Sequence, residues 1–385
     1  MKKAIGWMTA ALFGGMVLFS MANNAQGVLL SSFIDTFALT SSWQGVPNAA
    51  ANAGVFMAML LAVPMAARVG KLRLYTGGVG LMGVMLLLAG AAPSGLLLVA
   101  AYLVMGFAFG CVDTCASALV ADLHQGERGT MLMGALHAGY GAGGILAPIL
   151  MTAALSAGMS WRWVLWALAM VAGIAFLFSV IVFTRGRDSL PATAAPPQKL
   201  SRSDIKLFFQ KPGNLWLVLC TACYCAHQCS IYLWISRIME VRYHTLTLGA
   251  TALSLFWVGT VCSRLLVPLL RIKAAPYLRY GVLLAAVLLC VGIAADSAVA
   301  LCAVAALCGL VGGAVLPMAI SEGTRRNPTM SMLAVTALLL TTGLAAMICA
   351  PLIGFIVSKT ALTGALVVSA VFAGLSGLCA RGVRE

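Results

Sequence analysis

The chain has 385 residues, of which 62% are hydrophobic and only 9% charged. A soluble domain needs about a quarter charged residues to cover its surface, so this composition excludes a soluble globular protein and places the chain in a bilayer. The 24 Lys and Arg against 10 Asp and Glu give a net charge of +14, but these cations sit in short gaps between apolar runs of span length. They mark topology, and no nucleic-acid partner is expected. The 12 Cys lie almost entirely inside apolar runs, where a free thiol behaves as a small hydrophobe, so neither a disulfide framework nor a metal centre is expected.

Runs of about 20 mainly apolar residues predict twelve spans: 5–34, 46–67, 74–92, 96–121, 130–158, 161–183, 213–238, 248–270, 277–295, 298–320, 329–358 and 361–380. The first imitates a secretory signal peptide, with Lys2-Lys3 ahead of the apolar run and Ala22 and Ala25 behind it. Its removal would leave eleven spans and break the charge pattern that follows, so it is read as a span. Asn23, Asn24 and Gln26 cluster near its outer part, and Asn48 and Asn52 lie one turn apart in span 2. Side-chain amides donate and accept, which suits an uncharged hydroxylated ligand; hydrogen bonding between helices is the competing use.

Span 4 contains Asp113, the one acid placed deep within the apolar runs. A charge there costs roughly 3 kcal/mol, so the carboxyl is expected to be protonated, paired or open to a water-filled cavity. A carboxyl that gains and loses its proton as its surroundings alternate is what proton coupling needs. A neutral Asp bonded to a neighbouring helix is the structural alternative. In span 5, His137 shares a face with Gly141, Gly144 and Pro148; it is a candidate for ligand contact or proton relay, with a satisfied core imidazole as the plainer reading.

Span 7 offers Cys220, Cys223, Cys225, His227 and Cys229, but 220, 223 and 227 fall on one helix face and 225 and 229 on another, so this helix cannot close a tetrahedral metal site. Tyr224, Gln228 and Tyr232 follow one another at i+4 and form a stripe suited to lining a cavity. Arg264 lies about a turn and a half from the inner end of span 8, where it could snorkel or latch onto Glu322. The inner-loop charges Arg68, Lys71, Arg73, Asp122, Arg128, Glu322 and Arg325 are candidate gates, set against a simple role in topology and contact with anionic lipid.

With the N-terminus inside, 19 basic residues fall in inner loops and ends, 4 fall outside, and Arg264 stays within a span. The positive-inside rule then puts both termini in the cytoplasm. The longest polar interruption, 184–212, divides the spans six and six: an N-terminal bundle 1–183, a cytoplasmic linker, and a C-terminal bundle 213–385. Ser203 or Asp204 is placed to cap a short helix through Ile205–Phe209 lying flat at the inner interface, a flexible tether being the alternative. The halves echo each other at an offset near 200 residues: Arg68…Lys71…Arg73 against Arg271…Lys273, Asp122…Glu127-Arg128 against Glu322…Arg325-Arg326, and Gly141…Pro148 against Gly343…Pro351. Repeats of one orientation predict two six-helix bundles related by an axis along the membrane normal.

This pattern resembles the major facilitator superfamily over essentially the whole chain. More narrowly, it resembles the sugar:proton symporter branch that includes fucose permeases, through Asn23-Asn24-Ala25-Gln26-Gly27, Gly106…Gly110-Cys111-Val112-Asp113-Thr114, Leu136-His137…Tyr140-Gly141…Pro148, Tyr224…His227-Gln228…Trp234 and Phe256-Trp257…Arg264. The resemblance implies alternating access around a cavity lined by spans 1, 4, 7 and 10, with Asp113 in proton coupling. This sequence departs from the pattern where fucose-type members carry an acid in span 1, here Gly27 beside Gln26, and where relatives carry Glu in span 7, here Gln228.

The expectation is therefore an all-α polytopic protein of twelve transmembrane helices. It would be a monomeric secondary transporter in a bacterial-type inner membrane, with lipid, a small polar, sugar-like solute and protons as its partners. Asp113 would couple protons, and Asn23, Asn24, Gln26, His137, Tyr140, Tyr224, His227 and Gln228 would contact solute. An exporter or facilitator of amphipathic compounds and a non-transporting membrane sensor are the alternatives. With no nucleotide loop, hydrolase elbow or metal-ligand helix, no enzymatic activity, metal or cofactor is expected.

Overall fold

The computed structural model describes residues 2–40, 43, 45–124, 126–186, 202–327 and 331–383, and all regular structure among them is helical. Hydrocarbon offers no partner to a backbone N–H or C=O, so apolar runs of this length satisfy themselves as helices. Among the described residues, eleven helices are long and apolar enough to cross a membrane, and Val46–Ala62 adds a shorter apolar stretch.

The chain forms two units. The first comprises Met1–Phe37 and Ala50–Pro197. It carries α1 (Lys2–Val28), α2 (Leu30–Phe37), most of α3 (Val46–Val69), α4 (Lys71–Gly90), α5 (Gly95–Leu123), α6 (Gly126–Ser156) and α7 (Trp161–Gly186). Span 1, expected to run unbroken to 34, bends at Leu29 into α2, while Leu29 N–H still donates to Ala25 O at 2.8 Å. Beyond α4, Arg162 Nη1 donates to the Gly90 and Ala92 carbonyls at 2.7 and 2.9 Å, satisfying acceptors that a helix C-terminus leaves open.

The second unit comprises Ala38–Ala49 and Gln198–Glu385. Its helices are α8 (Arg202–Gln210), α9 (Asn214–Tyr243), α10 (Leu246–Leu269), α11 (Ala274–Pro276), α12 (Val282–Ala295), α13 (Ala298–Gly312), α14 (Val315–Arg326), α15 (Ser331–Lys359) and α16 (Gly364–Cys379). A π-helical turn, Tyr277–Gly281, joins α11 to α12. The short helix expected in the linker is α8, but it starts at Arg202, so Ser203 and Asp204 fall inside its first turn instead of capping it. Phe208 is buried against Leu333 and Ala334, and Asn214 Nδ2 donates to Phe208 O at 2.8 Å. Ile205, Leu207 and Phe209 remain exposed. Linker residues 187–201 lie outside the described set, as does the side chain of Arg128.

One packing device recurs. In the first unit α3 and α5 cross so closely that a Cβ on Gly54 would meet the Leu103 carbonyl and one on Gly106 the Ala51 carbonyl. In the second, α10 and α13 cross with Gly259 against the Ala306 carbonyl and Gly309 against the Phe256 carbonyl. Only glycine permits this approach, and small residues at a crossing are how membrane helices gain dispersion contact without a hydrophobic driving force.

Span 10, expected as one helix over 298–320, breaks at Gly313-Ala314. The cause lies four residues on. Pro317 has no N–H to donate to Gly313 O, and the Gly312-Gly313 pair has little helix preference.

Candidate functional site

In the first unit, α1, α5 and α6 meet at three aromatic rings. Phe19 stacks on Phe109 at 4.8 Å and edge-on to Tyr140 at 5.0 Å. Each pair contributes about 0.5–1.5 kcal/mol beyond area burial and fixes the level at which the helices meet. Because α5 runs antiparallel to α1 and α6, a step of one turn, about 5 Å, sorts the polar residues onto two sides of this layer. Asp113 and His137 lie on the side toward Lys71 and Asp122; Asn23, Asn24 and Gln26 lie on the other.

The geometry of these groups differs. Asn23 Nδ2 donates to Tyr140 Oη at 2.9 Å, tying α1 to α6 and joining two of the expected ligand contacts. Asn24 turns back on its own helix and donates to Ser20 O at 2.9 Å. Gln26 is 2% exposed, yet neither its Oε1 nor its Nε2 has a hydrogen-bond partner among the described residues. Burying an amide this way costs about 1–3 kcal/mol, the kind of cost retained where a ligand restores the bonds. Asp113 likewise buries Oδ1 with no hydrogen-bond partner among the described residues, and it interacts electrostatically with the His137 imidazole. The His137 side chain is exposed.

In the second unit, Tyr224 is 2% exposed and Gln228, one turn along, is half-buried. Tyr232, a further turn on, donates to Asn48 Oδ1 at 3.5 Å. His227 is buried with Nδ1 at 2.9 Å from Ser369 Oγ, while the Ser369 hydroxyl donates to His227 O at 3.0 Å. That arrangement pins α9 to α16.

Lys71 Nζ meets Asp122 Oδ2 at 2.6 Å, joining α4 to the end of α5; Arg68 and Arg73 beside it are exposed. Glu322 takes Arg325 at 2.7 Å and Arg326 at 2.6 Å. The expected Arg264–Glu322 latch is therefore replaced. Glu322 is neutralised within its own helix, and Arg264 Nε donates to Gly313 O at 3.2 Å, the carbonyl left open by Pro317. Arg264 does not snorkel toward the loop that follows α10 either. Gly313 packs on Thr260, one turn back along α10, so the guanidinium reaches into the unit, in the direction a helical side chain naturally points.

Two residues at this break were not singled out in the sequence. Tyr277 Oη accepts from Ala314 N–H at 3.1 Å and lies 2.7 Å from Ser263 Oγ. The signal available was Pro317 behind a Gly-Gly pair, which marks an interrupted helix whose freed backbone groups need side-chain partners.

The family model described as the Major Facilitator Superfamily matches residues 12–321. The chain belongs to the Major Facilitator Superfamily. A bacterial homologue of the human lysosomal transporter Spinster, inward-facing and unoccupied, superposes with a TM-score of 0.78 at 17% identity, covering 100% of this chain and 98% of that one. The fucose:proton symporter of E. coli gives 0.66 at 18% identity, covering 98% of each chain. A nucleoside transporter gives 0.76 at 14% identity, again covering 98% of each. These likenesses establish the major facilitator fold, and they do not single out the sugar:proton symporter branch. No functionally curated protein matches the chain.

Proposed function

We propose that this member of the superfamily is a secondary active transporter that carries a small polar, sugar-like solute across a bacterial-type inner membrane by alternating access, coupled to protons. The observation that carries the reading is Asp113, a carboxyl within a span whose Oδ1 is buried without a partner and whose one electrostatic neighbour named above is an imidazole. A group so placed changes its preference for a proton when its surroundings rewet, and that change is the coupling step. His137, exposed beside it, passes the proton to water.

The solute contacts in the first unit are Asn23, Tyr140 and the unsatisfied Gln26; those in the second unit are Gln228 and Tyr224. Asn24 and His227 support these helices through their own hydrogen bonds. Lys71–Asp122 and Glu322–Arg325 act as gates whose ion pairs re-form each cycle, and the exposed Arg68 and Arg73 beside the first pair meet anionic lipid. The bundles 1–183 and 213–385 work as a monomer with both termini cytoplasmic, the linker 184–212 between them.

The test is uptake by purified protein in proteoliposomes across labelled sugars and organic solutes, with and without an imposed pH gradient. Gradient-driven accumulation that disappears in Asp113→Asn supports the reading. Accumulation unaffected by that change sinks proton coupling, and movement of hydrophobic dyes without any polar solute replaces the importer by an exporter.

A further inference from the structure

Arg264 is an intramembrane cation that the transport scheme above leaves without a task. Among the described residues no carboxylate lies within ion-pair distance of it, because Glu322 is held by Arg325 and Arg326. An arginine facing hydrocarbon or a bundle interior is costly, and such residues are retained where they pair or line a water-filled path. The local structure fixes how it is presented. Pro317 frees Gly313 O; Arg264 Nε takes it at 3.2 Å; that single bond sets the guanidinium plane. The two Nη groups, carrying four of the five N–H donors, make no hydrogen bond among the described residues, and neither is sealed from solvent. They form an open fork.

The walls of this fork are also polar on one side only. The Tyr224 ring lies so near Gly312 that a Cβ there would come within 3.3 Å of it, and Tyr224 and Tyr277 both feel the Arg264 charge. Tyr277 is held by Ser263 and the Ala314 N–H. Leu265 and Leu266, next along α10, are exposed, whereas Arg264 is half-buried against Gly313. A planar fork with free paired donors, flanked by phenol rings and lacking any protein acid, is matched by a carboxylate.

We propose that Arg264 binds the carboxylate of the transported solute, so that the substrate class is a hydroxylated monocarboxylate, such as a sugar acid, in place of a neutral sugar. This rests on the transporter reading and narrows it. Gln228 and Tyr224 of the same unit contact the hydroxyl groups, and Arg264 supplies the one charge. Entry of the anion together with one proton on Asp113 moves no net charge, which removes the membrane potential as an obstacle to uptake of an anion.

The experiment uses the full chain in proteoliposomes of fixed lipid composition, with labelled D-gluconate, D-glucuronate and lactate set against D-glucose and D-xylose. Thermal unfolding of the solubilised protein with each compound is the second readout. The expected result is uptake of a hydroxylated carboxylate at least tenfold above the neutral sugars, together with a raised unfolding temperature. Arg264→Gln should lose most of that preference, and Arg264→Lys should keep part of it. Equal handling of gluconate and glucose by the unmodified protein, or a preference unchanged in Arg264→Gln, overturns the assignment. If Arg264→Gln does not fold, the solute panel on the unmodified protein and Arg264→Lys still decides. Uptake of neutral sugars alone overturns this inference and leaves the transporter reading standing; uptake of neither class by folded protein overturns both.

Discussion

The two units use the same helix crossing for opposite chemistry. Gly54 and Gly106 bring α3 against α5, and Gly259 and Gly309 bring α10 against α13, with backbone carbonyls filling the space of the missing side chains in both. Beyond the first crossing α5 continues as an unbroken helix and carries Asp113, an acid with a buried, unpartnered oxygen. Beyond the second, the helix breaks at Gly313-Ala314, and the carbonyl freed there anchors Arg264, a cation without a carboxylate partner among the described residues. The same kind of crossing thus accompanies an intramembrane acid in the first unit and an intramembrane base in the second.

The largest effect should come from the acid side of this comparison. Asp113→Asn keeps the shape and removes the exchangeable proton, so gradient-driven accumulation should fall at least tenfold while solute exchange at equal pH on both sides persists. Loss of exchange as well would mean that Asp113 holds the helices together and does not carry the proton.

Next come the crossings themselves. Gly106→Val and Gly309→Val each force a side chain into a backbone carbonyl, and overpacking of this kind costs about 1–3 kcal/mol. Lower melting temperatures for both variants in detergent would support equivalent crossings. A melting point unchanged in one of them would show that the two crossings are not equivalent.

A smaller effect is expected at the break. Tyr277→Phe removes the acceptor for Ala314 N–H and the partner of Ser263 Oγ, at about 1 kcal/mol per bond. Its sharpest readout is amide hydrogen exchange, which should accelerate at 314–318 but not along α5.

The ion pair Lys71–Asp122 is partly solvent-exposed, at 36% and 24%, so a double-mutant cycle on stability should give less than about 1 kcal/mol. Smallest is the surface cluster in which Tyr243 Oη and Arg242 both donate to Asp296 and hold its carboxyl below the usual carboxylate range. A group whose folded value is depressed stabilises above the ordinary carboxylate range and loses that contribution as pH falls through the folded value. Asp296→Asn should accordingly flatten whatever dependence of melting temperature on acid pH this cluster supplies.

Much of the fold was legible because bilayer thickness translates directly into run length. The apolar runs named the helices, and the offset near 200 residues between Arg68…Arg73 and Arg271…Lys273 anticipated a repeated architecture. Where the sequence reading went astray, the reason was local. The bend at Leu29 follows Gly27 but has no Pro to announce it, whereas the break in span 10 was announced by Gly312-Gly313 and Pro317 but concealed by the hydrophobicity on either side.

Site residues were less legible than helices, because hydropathy says which residues are within the membrane and nothing about which neighbour each one meets. Asn23 and Asn24 are adjacent and identical in type, yet one bonds across to Tyr140 and the other back to Ser20. His227 and His137 both stand in apolar runs, and only the packing against Ser369 separates a buried imidazole from an exposed one. Arg264 and Glu322 have opposite charge and suitable spacing for a latch. The i+3 and i+4 arginines of Glu322 reach it first, since side chains one turn apart on a helix are already neighbours.

The most direct test of an acid in one unit serving a base in the other is the proton movement that accompanies solute entry. Proteoliposomes in weakly buffered medium, given D-gluconate or D-glucuronate without any imposed gradient, should alkalinise the medium. Asp113→Asn should abolish that change while still binding the solute, and Arg264→Gln should sharply weaken both. Solute entry with no pH change in the unmodified protein, or an undiminished change in Asp113→Asn, would contradict the account.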